Sequence, residues 1–377
     1  MNPQVSFVVP CYNLGHLLSQ CVTSILSQTY DHLEVLIMDD CSPDHTPEVA
    51  RSFRDPRVKH IRNAPNLGHL RNYNKGIGLA RGKYVWLISA DDFLRRTYVV
   101  ERYVGLMEDH PQVGYVICPT ISFEDGREAR VMDFSVHAHN DTIFPGRKFL
   151  SKLLKSNCVP APAGMVRKEC YDRLGGFPLD MKVTGDWYLW SLFALYYDVG
   201  YLAEPMVCYR RHPQSMTDTL CRTDLRIWTD EDILHSWRIR QKTKEAGYPA
   251  LVQECRQLIA NQYAASLASK GFKSSSGWHE CRISLEEFEA SLRRNTNDPE
   301  EQRYIRARVY AGAADAYYWQ RDFARAREFY GKALREDARM PKVRAKCLLL
   351  ALGTSGIFFR DTLPSLRQAI TGTKTSQ

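Results

Sequence analysis

No stretch of this 377-residue sequence is apolar for the roughly 20 consecutive residues that a membrane-crossing helix needs. The longest candidate, Cys347 to Phe359, is short and broken by Gly and Ser. No CxxC pair occurs among the 11 cysteines. Their odd count and scattered spacing argue against a closed disulfide framework and fit a reducing compartment. No basic-then-apolar leader stands before the first strand pattern, Val5–Val9. These absences together predict a cytoplasmic chain, soluble or peripheral at the inner face of the cell membrane. A Gly-rich phosphate loop is also missing. Asn13-Leu14-Gly15-His16 follows the first strand, which speaks against a nucleotidyltransferase.

Apolar content of 44% and charged content of 25% are those of an ordinary globular protein, long enough for more than one core. The net charge of +8 is uneven: from Arg303 onward there are fifteen Lys/Arg against six Asp/Glu. Arg303, Arg306, Arg325, Arg327, Arg335, Lys342 and Arg344 read either as a solvated face or as a contact for anionic lipid. No nucleic-acid partner is expected.

The first half alternates β-branched runs with helical patterns, which predicts an α/β unit with a mostly parallel sheet and helices on its faces. Strands are expected at Val5–Val9, Leu33–Met38, Val58–Ile61, Tyr84–Ile88, Val113–Cys118 and Val207–Arg210, with helices near 17–26, 67–80, 164–176 and 186–197. An irregular polar stretch is expected from 119 to about 146. After about Thr217 the strand signal ends. The expected domains are 1–218 and a helical, all-α 219–377 with a polar break at Ser274–Gly277. Tyr310, Ala314, Tyr317, Ala326, Tyr330 and Ala333 fit one tetratricopeptide-like hairpin, about 304–340, or an ordinary helical hairpin. Such a region suits a protein partner or oligomer contact.

Parallel βαβ order places every strand's C-terminal end on one edge, where doubly wound sheets bind ligands. Pro10-Cys11-Tyr12-Asn13, Asp39-Asp40 and Asp91-Asp92 all fall at such ends. Adjacent carboxylates after an apolar strand read either as a solvated helix-capping turn or as ligands of a hard cation that clamps a diphosphate. The second carboxylate pair on a neighbouring strand favours the cation. Asp186 opens a helix pattern and reads as an N-terminal cap, a catalytic base, or both.

An ordered series carries a family resemblance: Val8-Val9-Pro10-Cys11-Tyr12-Asn13, Asp39-Asp40-Cys41-Ser42-Pro43-Asp44, Asn66-Leu67-Gly68, Ala80-Arg81-Gly82-Lys83-Tyr84-Val85 and Asp91-Asp92, then Leu174-Gly175-Gly176-Phe177, Gly185-Asp186-Trp187 and Tyr209-Arg210-Arg211-His212. Over about residues 4–217 this resembles the family 2 glycosyltransferases. The resemblance implies a GT-A fold and inverting sugar transfer from a nucleotide-sugar donor, a UDP-sugar before GDP or dTDP carriers. The acceptor would be a saccharide or lipid-linked hydroxyl, in bacterial surface polysaccharide or glycoconjugate synthesis. It further implies Pro10, Tyr12, Asp40, Asn66, Arg71, Asp91 and Arg210 as donor contacts, Asp92, Asp91 and His212 as ligands of Mn²⁺ or Mg²⁺, and Asp186 as base. The chain departs from the pattern at Ser89, where the metal motif carries an acid. It departs again at Tyr73, where many members carry Arg and which Arg71 would replace from the same helix. A rival reading is an inactive GT-A scaffold presenting its helical region to a partner; metal-dependent hydrolysis of a nucleotide sugar would separate the two.

Overall fold

The computed structural model describes residues 4–132, 138–212, 215, 226–269, 272–274, 277–279 and 282–351. The expected domain boundary near 218, half of the polar break and the end of the apolar tail lie outside the described residues. The chain divides into two compact units, Met1–Cys221 and Arg222–Gln377.

The first unit opens with β1 (Val5–Cys11), α1 (Gly15–Leu26), β2 (Leu33–Asp39), α2 (Thr46–Ser52), β3 (Val58–Arg62), α3 (His69–Leu79) and β4 (Tyr84–Leu87). It continues with β5 (Phe93–Leu94), α4 (Val99–Asp109), β6 (Val113–Ile117), β7 (Thr120–Glu124), β8 (Arg127–Met132), β9 (Thr142–Phe144), α5 (Gly146–Leu153), β10 (Met165–Arg167), α6 (Lys168–Leu174), α7 (Gly185–Tyr196), β11 (Asp198–Tyr201) and β12 (Val207–Arg210). The main sheet runs β3-β2-β1-β4-β10-β6-β11-β9, and β5-β12-β7-β8 form a smaller one. β1 to β4 are mutually parallel neighbours, whereas β10 runs antiparallel to both β4 and β6.

Strand alternation explains how the sheet is covered on both faces. Phe7, Val9, Val35, Ile37 and Trp86 join one buried cluster with Leu18, Cys21, Val22 and Ile25 of α1 and Val99, Val100, Tyr103 and Met107 of α4. Val8 and Met38 point the other way, against α3. There Gly76 is needed for close approach: a Cβ would stand 2.4 Å from Val8 and 3.0 Å from Met38.

Two expectations are corrected here. The stretch from 119 to 146 is not irregular, since it holds β7, β8 and β9. The hairpin signal is Asp125-Gly126, both with positive φ (50° and 78°), which matches the right-handed twist of a two-residue turn. Residues 164–176 are not one helix; three of them form β10 before α6 begins.

The second unit is helical: α8 (Arg226–Glu245), α9 (Pro249–Ala268), α10 (Leu285–Asn295), α11 (Pro299–Trp319), α12 (Phe323–Glu336) and α13 (Pro341–Ala351), with one short antiparallel pair, Phe272–Ser274 and Gly277–His279. Its core joins Ile259, Tyr263, Phe288, Ile305, Tyr317 and Tyr330. Much of its basic charge is engaged internally. Arg306 is bidentate to Glu289, Arg303 and Arg327 donate to the carbonyls of Glu336 and Leu350, and Arg325 lies 3.6 Å from Asp322. Of these four, Arg303, Arg325 and Arg327 remain exposed and Arg306 is half-buried. No helix among the described residues is long and apolar enough to cross a membrane.

Candidate active site

The C-terminal ends of β1, β2 and β4 open into a cavity of about 610 Å³, lined by Pro10, Tyr12, Asp40, Asn66, Tyr73, Asp91, Asp92, Asp186 and His212 among others. A larger hollow, about 890 Å³, lies in the helical unit at Tyr317 and Arg325. Chemistry rather than size identifies the site, because only the first hollow gathers several carboxylates, and Asp322 in the second is engaged as the cap of α12.

β1 carries the segment beyond β4 to its place: Ile88 N–H donates to Val8 and Ala90 N–H to Pro10. Asp91 and Asp92 therefore stand beside Pro10 at the sheet edge. Asp92 is buried, and its Oδ1 accepts the backbone N–H of Arg210 at 2.9 Å. Burial, with the Asp91 charge beside it, pushes the Asp92 carboxyl well above its ordinary range. Burial also works to raise Asp91, but hydrogen bonding, with His212 foremost, holds that carboxyl below its usual value. His212 Nε2 lies 2.9 Å from Asp91 Oδ2, across 121 residues of sequence.

Asp91 Oδ1 is buried without a hydrogen-bond partner among the described residues. An orphaned carboxylate oxygen beside a second buried carboxylate and an imidazole is chemistry that suits Mn²⁺ or Mg²⁺. Among the described residues, however, no three such side chains already converge on one point.

Asp40 lines the cavity and is engaged within the protein. Its Oδ1 accepts Asn63 Nδ2 and the Leu67 N–H, each at 2.8 Å, and its Oδ2 accepts the Gly68 N–H at 2.9 Å. A buried polar network backs it: Asn63 also donates to Asn72, and Lys75 to Asn63. The carboxylate thus holds the 66–68 segment, itself part of the cavity wall, through three of its acceptor positions. Asp40→Asn would turn an amide N–H₂ toward one of these donors, at about 1–3 kcal/mol. A lowered Tm together with weaker donor binding is expected; weaker binding at unchanged Tm would instead mark a direct ligand contact.

Arg71 and Arg210 are not where the sequence reading put them. α3 buries Leu70, Asn72, Gly76 and Ile77 and turns Tyr73 to the cavity, whereas Arg71 is exposed and outside the cavity lining. The Arg210 guanidinium is engaged elsewhere. Its Nε donates to the Asp91 carbonyl, one terminal nitrogen reaches Gln20, and its plane lies over Phe123 at 4.7 Å. Tyr12 stands 53% exposed at the mouth, with its face free for a base.

Asp186 lies in the first turn of α7 and lines the cavity. Its Oδ1 accepts the Trp187 N–H at 2.7 Å, which orients the carboxylate at the helix start, although the N-cap position expected for it belongs to Thr184. Asn157 Nδ2 lies 3.4 Å from the other oxygen, a neighbour the sequence did not flag. Asn74 matches the family pattern in sequence, and the structure shows what it does. It donates to the Phe177 carbonyl and accepts the Phe177 N–H, both at 2.8 Å, pinning the 175–178 segment to α3.

A sheet edge with paired carboxylates, an imidazole delivered by a late strand and a carboxylate on an opposing helix define a unit of the GT-A glycosyltransferase class. Residues 6–175 match the model of glycosyl transferase family 2, and the N-terminal unit carries that family's domain. Relatives include glycosyltransferase GlyG of Streptococcus pneumoniae, 33% identical over 115 residues that make up 30% of this chain and 38% of the relative. The succinoglycan biosynthesis protein ExoO of Rhizobium meliloti is 39% identical over 93 residues, 25% of this chain and 27% of that one. The chain thus spans well under half the length of these relatives. Among solved structures, residues 1–349 of S. aureus TarS in complex with UDP superpose with a TM-score of 0.57 at 16% identity, covering 90% of this chain and 91% of that one. That likeness is one of fold.

Proposed function

We propose that this protein transfers a sugar from a nucleotide-sugar donor, a UDP-sugar first among the candidates, to a saccharide or lipid-linked hydroxyl with inversion, in the assembly of a bacterial surface polysaccharide or glycoconjugate. The observation that carries the reading is the shared cavity, with Asp91, Asp92 and His212 on the sheet edge and Asp186 on the facing helix. The relatives named above, one of them a polysaccharide biosynthesis protein, support the polymer context.

In this reading Tyr12 stacks the base at the mouth, and Asp40 keeps the 66–68 wall in place. Asp186 removes the acceptor hydroxyl's proton as that oxygen attacks the anomeric carbon, and the nucleoside diphosphate leaves from the opposite face of the sugar. A Mn²⁺ or Mg²⁺ ion held by Asp91 and Asp92, with His212 beside them, would supply positive charge for the departing diphosphate.

The direct test is nucleotide release from a panel of UDP-, GDP- and dTDP-sugars with and without acceptor polysaccharide. Thermal melts give a readout apart from activity. Mn²⁺ and a nucleoside diphosphate together should raise Tm more than either alone, because ligands that bind only the folded state stabilise it by mass action. Asp92→Ala should remove the excess and EDTA should reverse it. An undiminished excess in Asp92→Ala would refute the assignment of the cation to this carboxylate pair.

A further inference from the structure

Tyr73 stands where the family resemblance places an arginine, and its surroundings show what a neutral side chain does there. α3 turns it into the cavity. The ring is held edge-on from two sides, by His69 at 5.6 Å and by Phe177 at 5.3 Å between centroids. Phe177 is fixed by the double hydrogen bond from Asn74, and the His69 ring by the Lys182 carbonyl at 2.9 Å. The phenol therefore has little freedom to swing away.

Around the hydroxyl lie Asp91, Asp186 and Asp92; burial first, then these three charges, push its pKa well above the ordinary phenol value. It thus stays a neutral O–H donor at any working pH. Among the described residues this hydroxyl has no hydrogen-bond partner. A firmly held donor without a partner among the described residues, facing a cavity that also gathers the carboxylates of Asp40, Asp91, Asp92 and Asp186, is a recognition group for something that enters.

We propose that the Tyr73 hydroxyl hydrogen-bonds a hydroxyl of the sugar being transferred, and so helps to select the donor sugar. The reasoning is positional and chemical. Tyr73 lies between the Asp91–Asp92 pair, proposed for the diphosphate end, and Asp186, proposed for the acceptor end; the group between those ends is the sugar. A neutral donor suits a neutral sugar oxygen, whereas an arginine at this position would suit phosphate. This inference rests on the nucleotide-sugar reading of the cavity.

The test is titration calorimetry with Mn²⁺, using UDP-, GDP- and dTDP-linked hexoses and their parent diphosphates on wild type and Tyr73→Phe. The variant keeps the ring and its packing, so its Tm should match wild type. The parent diphosphate should bind both proteins equally. The nucleotide sugar that binds wild type most tightly should weaken roughly three- to tenfold in Tyr73→Phe, the worth of one hydrogen bond. On wild type alone, one monodeoxy analogue of that donor should lose the same factor. Equal weakening of sugar and parent diphosphate would assign the hydroxyl to phosphate and overturn the proposal, as would no weakening of either. Binding of parent diphosphates but of no nucleotide sugar would also overturn it. If neither class binds wild type, the donor-site reading itself fails, which is a different result from failure of Tyr73 alone.

Discussion

Replacing Asp186 with Asn is expected to lower turnover about 10²- to 10⁴-fold while donor affinity stays within about twofold. The amide keeps the size of the carboxylate, and its carbonyl oxygen can still accept the Trp187 N–H that Oδ1 accepts at 2.7 Å. Helix start and packing are therefore preserved. What is lost is the ability to take a proton from the acceptor hydroxyl. Because the proposed role of Asp186 is toward the acceptor rather than the nucleotide, the deficit belongs in kcat. Steady-state nucleotide release with acceptor present, beside calorimetric donor binding, measures both quantities. A variant keeping more than about a tenth of wild-type turnover would remove Asp186 from the role of base.

Glu301→Ala is expected to destabilise the helical unit by about 3–5 kcal/mol, because it leaves a buried guanidinium without its counter-charge. Glu301 is 1% exposed at the start of α11, and Arg240, which is 3% exposed on α8, donates to both of its oxygens. Arg256 Nε and Thr296 Oγ1 donate to the same carboxylate, each at 2.7 Å. For a unit of this size the loss corresponds to roughly 6–20 °C in Tm. Replacing both buried partners, Glu301→Leu with Arg240→Met, should recover most of the loss, since the charge left without its partner, Arg256, is partly exposed and keeps access to water. The network also predicts an acid limb. Burial alone would raise the Glu301 carboxyl, but Arg240, Thr296 and Arg256 outweigh it and hold it below the ordinary value. A carboxylate lowered on folding contributes stability above its unfolded value, about pH 4.3, and loses it as pH falls through the lower folded value. The acid limb should flatten in the double variant. A single substitution costing less than about 1 kcal/mol would show the network to be dispensable.

The parts of the fold that were legible in the sequence are those written in local pattern. β1 to β4 and the helices between them follow from apolar periodicity and turn residues that lie within a few positions of one another. β12 was legible for the same reason. The stretch holding β7 to β9 was not, because its strands are short and β8 is largely exposed, leaving little apolar alternation; Asp125-Gly126 was the one available signal. β10 was hidden because three residues flow directly into α6. The candidate site divides in the same way. Strand order alone brought Pro10, Asp40 and Asp91-Asp92 to one edge. Arg71 was misplaced because adjacent helical positions differ by about 100° in direction, so one face or the other is decided by which residue packs inward.

The sequence by itself determined the class of fold and the neighbourhood of the chemistry, since hydrophobic periodicity and the ends of parallel strands are properties of contiguous segments. Only the tertiary structure decided how each polar atom in that neighbourhood is engaged. It turned Asp40 toward Asn63, Leu67 and Gly68, brought His212 to Asp91, drew the Arg210 guanidinium onto Phe123, and left the Tyr73 hydroxyl facing the cavity. The physical reason is that a carboxylate or a guanidinium has several equivalent hydrogen-bonding positions. Which of them stay open to a ligand depends on donors and acceptors tens to more than a hundred residues away, and these meet only when the core closes.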